Sequence, residues 1–226
     1  MKKKGFIFDL DGVIVDTAEY HYRAWKKLAN TLGFDISEAR NEQLKGVSRI
    51  RSLQQILEWG NIRYTEAEFQ RYLNSKNEDY LSYIAKMTAN DILPGVSEII
   101  DHLLSKKQPV AVGSASKNAG FILEKIGIKQ LFTAIVDGNE VSKAKPDPEV
   151  FLSAAGKMKV APGNCIVFED AIAGIEAAKK ARMIAVGIGD KNILHHADYV
   201  FKDFTEMKID FIDTLLNHES ELYPAR

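Results

Sequence analysis

The sequence has little cysteine and no excess of charge of either sign. A single cysteine, Cys165, in 226 residues excludes an internal disulfide bridge and is compatible with a reducing compartment. The 30 basic and 31 acidic residues leave a net charge of −1. Without a strong field of one sign, we expect no nucleic acid and no membrane surface among the partners.

Long apolar runs are also missing. No segment approaches the roughly 20 apolar residues of a membrane span. The basic start Lys2–Lys4 resembles the first part of a signal peptide, but Asp9 and Asp11 interrupt the apolar run that follows, and no small-residue cleavage site comes after it. We therefore expect a cytoplasmic protein. The absence of a sustained heptad pattern favours a monomer.

Short apolar strands alternate with helical patterns after Pro94-Gly95. The predicted strands, including one before this point, are Phe6–Phe8, Pro109–Gly113, Ala134–Val136, Cys165–Phe168, Ile184–Gly187 and Tyr199–Phe201. The predicted helices between the later strands are Val96–Ser105, Ala119–Ile126, Pro148–Met158 and Ile172–Ala181. Such alternation is typical of a parallel sheet that is covered by helices on both faces.

Between the first strand and about Leu93 the chain is polar and shows only helical patterns. Trp25 begins one apolar helix face with i, i+3, i+4, i+7 spacing, and the segments Ser52–Trp59 and Glu66–Lys86 indicate further helices. We predict an α/β fold with a doubly wound, Rossmann-like parallel-sheet core and an inserted all-helical cap domain. The predicted core is residues 1–16 and 94–226, and the cap is residues 17–93.

Asp9 and Asp11 follow the first predicted strand. Because side chains alternate along a strand, both carboxylates are expected on one side, and Gly12 after them permits a sharp end to the strand. Two like charges at this spacing repel each other, and burying either without a counter-charge is unfavourable. The pair therefore indicates that these carboxylates bind a cation, share a proton or take part in a reaction.

Polar residues follow other predicted strands as well: Ser114–Asn118, Lys145, and Glu169 with Asp170. In open α/β sheets, ligands bind at the carboxyl ends of the strands. Carboxylates and hydroxyl groups without clustered histidines favour Mg²⁺, and a lysine beside them would offset the repulsion between a carboxylate and a phosphate. Taken singly, Asp170 or the serines could cap helices, and Lys145 could be a solvated surface residue.

Together these residues resemble the four motifs of the haloacid dehalogenase superfamily, in order and with fitting spacing: Asp9-Leu10-Asp11-Gly12-Val13, Ser114, Lys145-Pro146 and Glu169-Asp170. The resemblance implies that Asp9 is the nucleophile and Asp11 the general acid/base, and that Ser114 and Lys145 hold the transferring phosphate. It also implies a Mg²⁺ site formed by Asp9, the backbone carbonyl of Asp11, Asp170, and Glu169 in or near the ligand shell.

Three further segments are similar to the β-phosphoglucomutase branch of that superfamily: Asp16–His21, Asn41–Arg49 and Ser114–Asn118. The resemblance implies substrate contacts for Thr17, His21, Lys45, Gly46, Val47, Ser48, Arg49, Lys76, Ala115, Ser116, Lys117 and Asn118. A planar guanidinium such as that of Arg49 suits bidentate binding of a second phosphate. His21 lies one turn before Trp25, so a packing role for this histidine is an open alternative. Ala171 and Val15 depart from the usual residues but carry no assigned role.

The resemblance implies an isomerase that interconverts β-D-glucose 1-phosphate and D-glucose 6-phosphate. Its partners would be small sugar phosphates, and its cofactors Mg²⁺ and β-D-glucose 1,6-bisphosphate, which serves as intermediate and activator. Two alternatives remain at this point. One is a sugar-phosphate phosphatase on the same scaffold, which would lack the second-phosphate clamp. The other is a non-catalytic sugar-phosphate binding or regulatory module, which would be expected to have lost Asp9 or Asp11.

Overall fold

A parallel sheet of six strands lies at the centre of the computed structural model, which describes residues 3–44 and 47–217. The strands are β1 (Gly5–Phe8), β2 (Val110–Gly113), β3 (Ala134–Val136), β4 (Cys165–Glu169), β5 (Ile184–Ile188) and β6 (Tyr199–Phe201). Their order across the sheet is β3-β2-β1-β4-β5-β6. The chain thus winds outwards from β1 first to one side and then to the other, which confirms the predicted doubly wound core.

Nine α-helices accompany the sheet in the described part of the chain. They are α1 (Ala18–Thr31), α2 (Glu38–Glu42), α3 (Arg49–Trp59), α4 (Glu66–Ile84), α5 (Val96–Ser105), α6 (Ala119–Lys125), α7 (Glu149–Met158), α8 (Ile172–Lys180) and α9 (Ile209–Asn217). No helix among the described residues is long and apolar enough to cross a membrane.

Each face of the sheet has its own apolar core. Phe6 and Phe8 on β1 pack with residues of α5, α6 and α9, whereas Ile7 packs on the other face with residues of α7 and α8. This division follows from the alternation of side chains along a strand. Because both faces of β1 are covered, polar groups can enter only at its ends, and Asp9 lies at the carboxyl end.

Helices α1 to α4 form the helical insert between β1 and α5, and they have a separate apolar cluster that includes Trp25, Leu53, Ile56 and Phe69. Three of these helices begin at polar caps, the first being α2, where the Ser37 hydroxyl accepts the backbone N–H of Arg40. The Ser48 hydroxyl accepts the backbone N–H of Arg51 at the start of α3, and Thr65 forms a capping box with Glu68 at the start of α4. The boundaries at residues 17 and 93 stay a prediction.

The sequence-based element bounds in the core differ from the observed ones by no more than one residue. In the insert the differences are larger. Helix α3 begins at Arg49 rather than Ser52, because the cap at Ser48 starts the helix before its first apolar residue. Helices α2 and α9 are absent from the sequence prediction.

Candidate active site

Asp9 is held at the carboxyl end of the central strand. Its backbone N–H donates to the carbonyl of Phe168 at 2.9 Å, which continues the pairing of β1 with β4, and the residue is only 6% exposed. The pKa of Asp9 is raised to about 7, mainly by burial and also by the charges of Glu169 and Asp11, while Lys145 opposes this increase. A carboxylate in this position needs a compensating cation to stay ionised.

Lys145 supplies one such cation. Its ammonium group lies 2.5 Å from Asp9 Oδ1 and 2.6 Å from Glu169 Oε1, and the ring of Phe151 lies 4.8 Å below it. Burial alone would lower the pKa of Lys145, but the two carboxylates hold it above its usual value. At 8% exposure the residue is buried, so the alternative of a solvated surface lysine is wrong.

Glu169 is fixed from two sides. Its Oε1 accepts from Lys145, and its Oε2 accepts the backbone N–H of Ala171 at 2.8 Å, just before α8. A Cβ atom on Gly174 would lie 1.8 Å from Oε1, so only a glycine at that helix position leaves room for this carboxylate. With both oxygens engaged, Glu169 is better placed beside a metal ion than in contact with it.

Asp170 lies against the backbone that follows Asp11. Gly12 has a φ of +81°, and a Cβ atom on it would lie 2.0 Å from Asp170 Oδ2. Burial, with the charges of Glu169 and Asp9, raises the pKa of Asp170 well above its usual value. The N-cap of α8 is Ala171, and no side chain among the described residues forms a capping hydrogen bond there, so the interpretation of Asp170 as a simple helix cap is wrong.

The donor set fits a magnesium ion. Four carboxylates, those of Asp9, Asp11, Glu169 and Asp170, lie close enough to affect one another, and only Asp9 and Glu169 contact the ammonium group of Lys145. Repulsion among the carboxylates contributes to the raised pKa values of Asp9 and Asp170. A hard divalent cation would oppose this repulsion. No three His, Cys, Asp or Glu side chains within residues 3–44 and 47–217 are already arranged as a metal site. The ligand set that the resemblance implies, namely Asp9, the backbone carbonyl of Asp11, Asp170, and Glu169 in or near the shell, stays a prediction.

Ser114 ends the neighbouring strand β2 and is 1% exposed. Its backbone N–H donates to Val136 on β3, and its hydroxyl accepts the N–H of Ser116 at 3.0 Å. The Ser116 hydroxyl in turn accepts the N–H of Asn118 at 3.2 Å, so both serines organise the loop that leads into α6. Ala115 is partly exposed and Lys117 is exposed at the surface of this loop.

Asp11 faces the helical insert. Its Oδ1 accepts a short hydrogen bond from the hydroxyl of Thr17, the residue that precedes α1. Burial raises the pKa of Asp11, while the Thr17 hydrogen bond and the positive charges of Lys145 and Lys76 lower it. The two aspartates of the first motif thus have different partners: an ammonium group for Asp9 and a hydroxyl group for Asp11.

Lys76 brings a second buried cation to the insert. Its ammonium group lies 2.8 Å from His21 Nδ1 and 4.6 Å from the ring centres of both Trp25 and Tyr80. The side chain is 1% exposed, and burial with the charge of Arg49 lowers the pKa of Lys76 to about 7. Burial and the positive charges of Lys76 and Arg49 hold the pKa of His21 well below its usual value.

The segment before α3 carries the remaining predicted contacts of the insert. Arg49 is the first residue of α3, half-buried, and close enough to act on the pKa values of His21, Lys76 and Tyr80. Ser48 caps the helix, and Val47 is 40% exposed. Lys45 and Gly46 lie outside the described residues. The insert and core meet where the Asn118 amide donates to Asn77 Oδ1 at 3.0 Å.

The sequence patterns do not identify several residues of this arrangement. Tyr80 follows Lys76 by one helical turn, so the i, i+4 spacing places its ring beside the ammonium group. Asn77, Phe151 and Gly174 are recognisable only through contacts between distant parts of the chain. Away from this arrangement, the rings of His195 and His196 lie 4.1 Å apart between their centres and are tilted by 42°.

Comparison with known proteins identifies the family. The sequence model of the haloacid dehalogenase-like hydrolases matches residues 3–182. A β-phosphoglucomutase of Bacillus subtilis (strain 168) is 42% identical, with 99% of this chain and 98% of that protein aligned. A fructose-1-phosphate phosphatase of Escherichia coli (strain K12) is 32% identical, with 81% of this chain and 95% of that protein aligned.

A solved structure extends this similarity to the whole fold. The crystal structure of a β-phosphoglucomutase from Clostridium difficile is 44% identical and has a TM-score of 0.91, covering 96% of this chain and 98% of that one. The chain therefore belongs to the haloacid dehalogenase-like hydrolase family.

Proposed function

We propose that the chain is a Mg²⁺-dependent phosphomutase that interconverts β-D-glucose 1-phosphate and D-glucose 6-phosphate. One structural observation carries the proposal: the site has two separate groups of cations. Lys145 lies in the core beside Asp9, whereas Lys76 and Arg49 lie together in the insert. A substrate with a phosphate at each end needs both. The similarity to β-phosphoglucomutases over almost the whole chain supports the same activity.

Asp9 is the proposed nucleophile. One of its carboxylate oxygens attacks the phosphorus atom, an O–P bond to Asp9 forms, and the bond from phosphorus to the sugar oxygen breaks. Carboxylate and phosphate repel each other, at about 4 kcal/mol for each pair of unit charges 4 Å apart at an effective dielectric of about 20. Lys145, in contact with Asp9 Oδ1, opposes this repulsion. A Mg²⁺ ion held by Asp9, Asp170 and the Asp11 carbonyl would supply further positive charge there.

Asp11 is the proposed general acid/base. For transfer from phospho-Asp9 to β-glucose 1-phosphate, Asp11 takes the proton of the sugar 6-hydroxyl as its oxygen bonds to phosphorus and the bond to Asp9 breaks. The product is β-D-glucose 1,6-bisphosphate. After this bisphosphate has turned round, Asp9 attacks the phosphorus at position 1, and Asp11 returns the proton to the sugar oxygen that leaves. Glucose 6-phosphate and phospho-Asp9 result.

The insert binds the distal phosphate in this proposal. Arg49 offers a planar fork at the start of α3, and the helix N-terminus adds backbone N–H groups that favour an anion. Lys76 has three N–H donors, of which His21 occupies one. From the insert, the substrate is also contacted by Thr17 and by residues Lys45 to Ser48 in this proposal. From the core, it is contacted by Ser114 and by residues Ala115 to Asn118.

A phosphatase is the alternative activity that the relatives support, because a fructose-1-phosphate phosphatase is 32% identical to this chain. Both enzymes would form phospho-Asp9. They differ in the acceptor, which is a sugar hydroxyl in a mutase and water in a phosphatase. The second cation group in the insert favours the mutase, because a monophosphate needs no second phosphate clamp.

One assay separates these activities. The protein is incubated with Mg²⁺, β-glucose 1-phosphate and a trace of β-glucose 1,6-bisphosphate, and glucose 6-phosphate and inorganic phosphate are measured together. We expect glucose 6-phosphate with little inorganic phosphate. Stoichiometric inorganic phosphate would instead show a phosphatase, and substrate binding with neither product would show a binding module. Omitting the bisphosphate serves as the control, because the unphosphorylated enzyme should then start slowly.

A further inference from the structure

A short turn follows β3 and is held together by one carboxylate. We call these residues, Asp137–Asn139, the β3 turn. Asp137 Oδ1 accepts the backbone N–H of Asn139 at 2.8 Å, and Asp137 Oδ2 accepts from the side-chain amide of Asn139 at 3.2 Å. The same amide nitrogen donates to the backbone carbonyl of Lys117 at 3.0 Å, so both of its hydrogens have acceptors. Asn139 is exposed, yet its side chain is held in one orientation.

The β3 turn lies against the loop Ala115–Asn118, which carries four of the predicted substrate contacts and is called the substrate loop below. Besides the Lys117 carbonyl, the Ser116 carbonyl accepts the backbone N–H of Gly138 at 3.3 Å. The Ala115 carbonyl lies so close to Gly138 that a Cβ atom on the glycine would be 2.5 Å from its oxygen. Three successive carbonyl groups of the substrate loop therefore contact the β3 turn.

These contacts fix the directions of side chains in the substrate loop. A peptide unit is planar, so a carbonyl group held in place also fixes the N–H group of the next residue. The peptide planes on both sides of Ser116 and Lys117 are held in this way, and the directions of these two side chains follow. The next residue, Asn118, donates its side-chain amide to Asn77 of the insert at 3.0 Å. The substrate loop thus lies between the β3 turn and the insert.

We propose that Asn139 is a positioning residue for the substrate loop, and that its amide holds the Lys117 carbonyl so that the Ser116 and Lys117 side chains are ready to bind the distal phosphate. The proposal rests on the proposed function, in which this loop contacts the phosphate that is not being transferred. A hydroxyl and an ammonium group are suitable donors for a phosphate. A loop that is ordered beforehand loses less conformational freedom on binding, which favours substrate and transition state equally.

The first test is Asn139→Ala, which removes the amide but keeps the backbone N–H that donates to Asp137. We expect KM for β-glucose 1-phosphate to rise about fivefold, the effect of one ordinary hydrogen bond, with kcat within about twofold of wild type. The melting temperature should change by no more than about 2 °C, because the side chain lies at the surface. An unchanged KM would overturn the proposal.

Asn192→Ala is the matched control. Asn192 is also exposed, and it has the same position in a turn after β5, where its backbone N–H donates to Asp190 Oδ1 at 2.8 Å. No hydrogen bond within the described residues joins its side chain to the substrate loop. KM and kcat should therefore match the wild-type values. A rise in KM as large as that in Asn139→Ala would overturn the proposal, because the contact with Lys117 would not be its cause.

A donor with a single phosphoryl group separates the substrate loop from the reacting carboxylate. Acetyl phosphate can phosphorylate Asp9: a carboxylate oxygen of Asp9 bonds to phosphorus, the bond from phosphorus to the acetyl oxygen breaks, and acetate leaves. This donor has no second phosphate for the loop to bind. Asn139→Ala should therefore form phospho-Asp9 from acetyl phosphate at the wild-type rate. A rate that fell about fivefold, in step with the rise in KM, would overturn the proposal, because the site around Asp9 would itself be disturbed.

Failure of the proposed function has a different signature. If the wild-type protein released inorganic phosphate and formed no glucose 6-phosphate, the mutase activity would be refuted before any variant was compared. Asn139→Ala and Asn192→Ala would then be compared for KM in the cleavage of β-glucose 1,6-bisphosphate, whose second phosphate still reaches the substrate loop. A rise in KM in Asn139→Ala alone would support the Asn139 proposal, and an unchanged KM would overturn it there as well.

Discussion

The ammonium group of Lys76 lies 2.8 Å from Nδ1 of His21, in the interior of the helical insert. No carboxylate within the described residues forms an ion pair with it, and two aromatic rings, those of Trp25 and Tyr80, provide its other contacts. A buried lysine without a carboxylate partner loses its proton easily. The site therefore contains a cation whose charge is adjustable near neutral pH.

This arrangement predicts an unusual pH dependence of stability. The pKa of Lys76 is about 7 in the folded protein against 10.5 as its ordinary value. Between these pH values the unfolded chain binds more protons, so the free energy of unfolding should rise with pH. Relative to Lys76→Met, the wild-type protein should gain up to about 1.4 kcal/mol per pH unit above pH 7. Urea unfolding of both proteins between pH 7 and 10 measures this difference, and parallel curves would contradict it.

The different roles proposed for Asp9 and Asp11 predict different losses of activity when each is replaced by asparagine. Asp9→Asn should form no phosphoenzyme with β-glucose 1,6-bisphosphate, because an amide cannot act as the attacking carboxylate. Asp11→Asn keeps the nucleophile, so the phosphoenzyme should still form, but transfer from the bisphosphate to Asp9 and from phospho-Asp9 to the sugar should both be about 10²- to 10⁴-fold slower. Acid-quenched phosphoenzyme and glucose 6-phosphate are measured in parallel. Turnover by Asp9→Asn would refute the assignment of the nucleophile.

The contacts of Lys145 with two buried carboxylates predict that its removal lowers the free energy of unfolding by an amount that depends on pH. Lys145→Met leaves Asp9 and Glu169 buried without their cation, which should cost about 3–5 kcal/mol of unfolding free energy when both are ionised. The pKa of Asp9, already raised to about 7, should rise further because Lys145 lowers it. Protonation at low pH then relieves the repulsion, so the loss should be larger at pH 8.5 than at pH 6 in Mg²⁺-free buffer.

Lys143→Met is the control for this prediction. The Lys143 side chain is 70% exposed and lies 3.6 Å from Asp147, so its removal should change stability by less than about 1 kcal/mol at either pH. Equal and small losses for both lysine variants would show that the contact of Lys145 with Asp9 contributes nothing to folding.

The strand ends of the core were predictable because the strands are short apolar runs with polar residues directly after them. Asp9 follows β1, Ser114 follows β2, and Glu169 is the last residue of β4. Because these strands are parallel, their carboxyl ends lie at one edge of the sheet. Helix α2 has only five residues, too few for a periodic apolar pattern. Helix α9 does show helical spacing at Ile212, Leu215 and Leu216, and could have been predicted.

The pairings inside the site were not predictable from the sequence. Lys145 and Glu169 are 24 residues apart, and His21 and Lys76 are 55 apart, so no local pattern relates them. The same holds for Tyr80, because only its complete surroundings show that its hydroxyl has no hydrogen-bond partner within residues 3–44 and 47–217. Residue types and topology place the functional groups at one edge, whereas their protonation and partners depend on packing between the insert and the core.

The close approach of Gly174 to Glu169 predicts that a substitution at Gly174, which is not among the predicted substrate contacts, lowers activity. A Cβ atom at this position would lie 1.8 Å from Glu169 Oε1, so Gly174→Ala must displace that carboxylate from Lys145. We expect the rate of Asp9 phosphorylation to fall about tenfold, equivalent to 1.4 kcal/mol, and stability to fall by about 1–3 kcal/mol from overpacking. Rapid-quench measurement of phospho-Asp9 and thermal unfolding test the two effects.

Gly156→Ala provides the matched control in helix α7. A Cβ atom there meets nothing within 4 Å, so the substitution should leave phosphorylation unchanged and stabilise the helix by about 0.5–1 kcal/mol, the usual difference between glycine and alanine. Opposite signs of the stability change in two helical glycine-to-alanine variants would identify the contact with Glu169 as the cause. If Gly174→Ala instead behaved like Gly156→Ala, the carboxylate of Glu169 would not need its present position for the reaction.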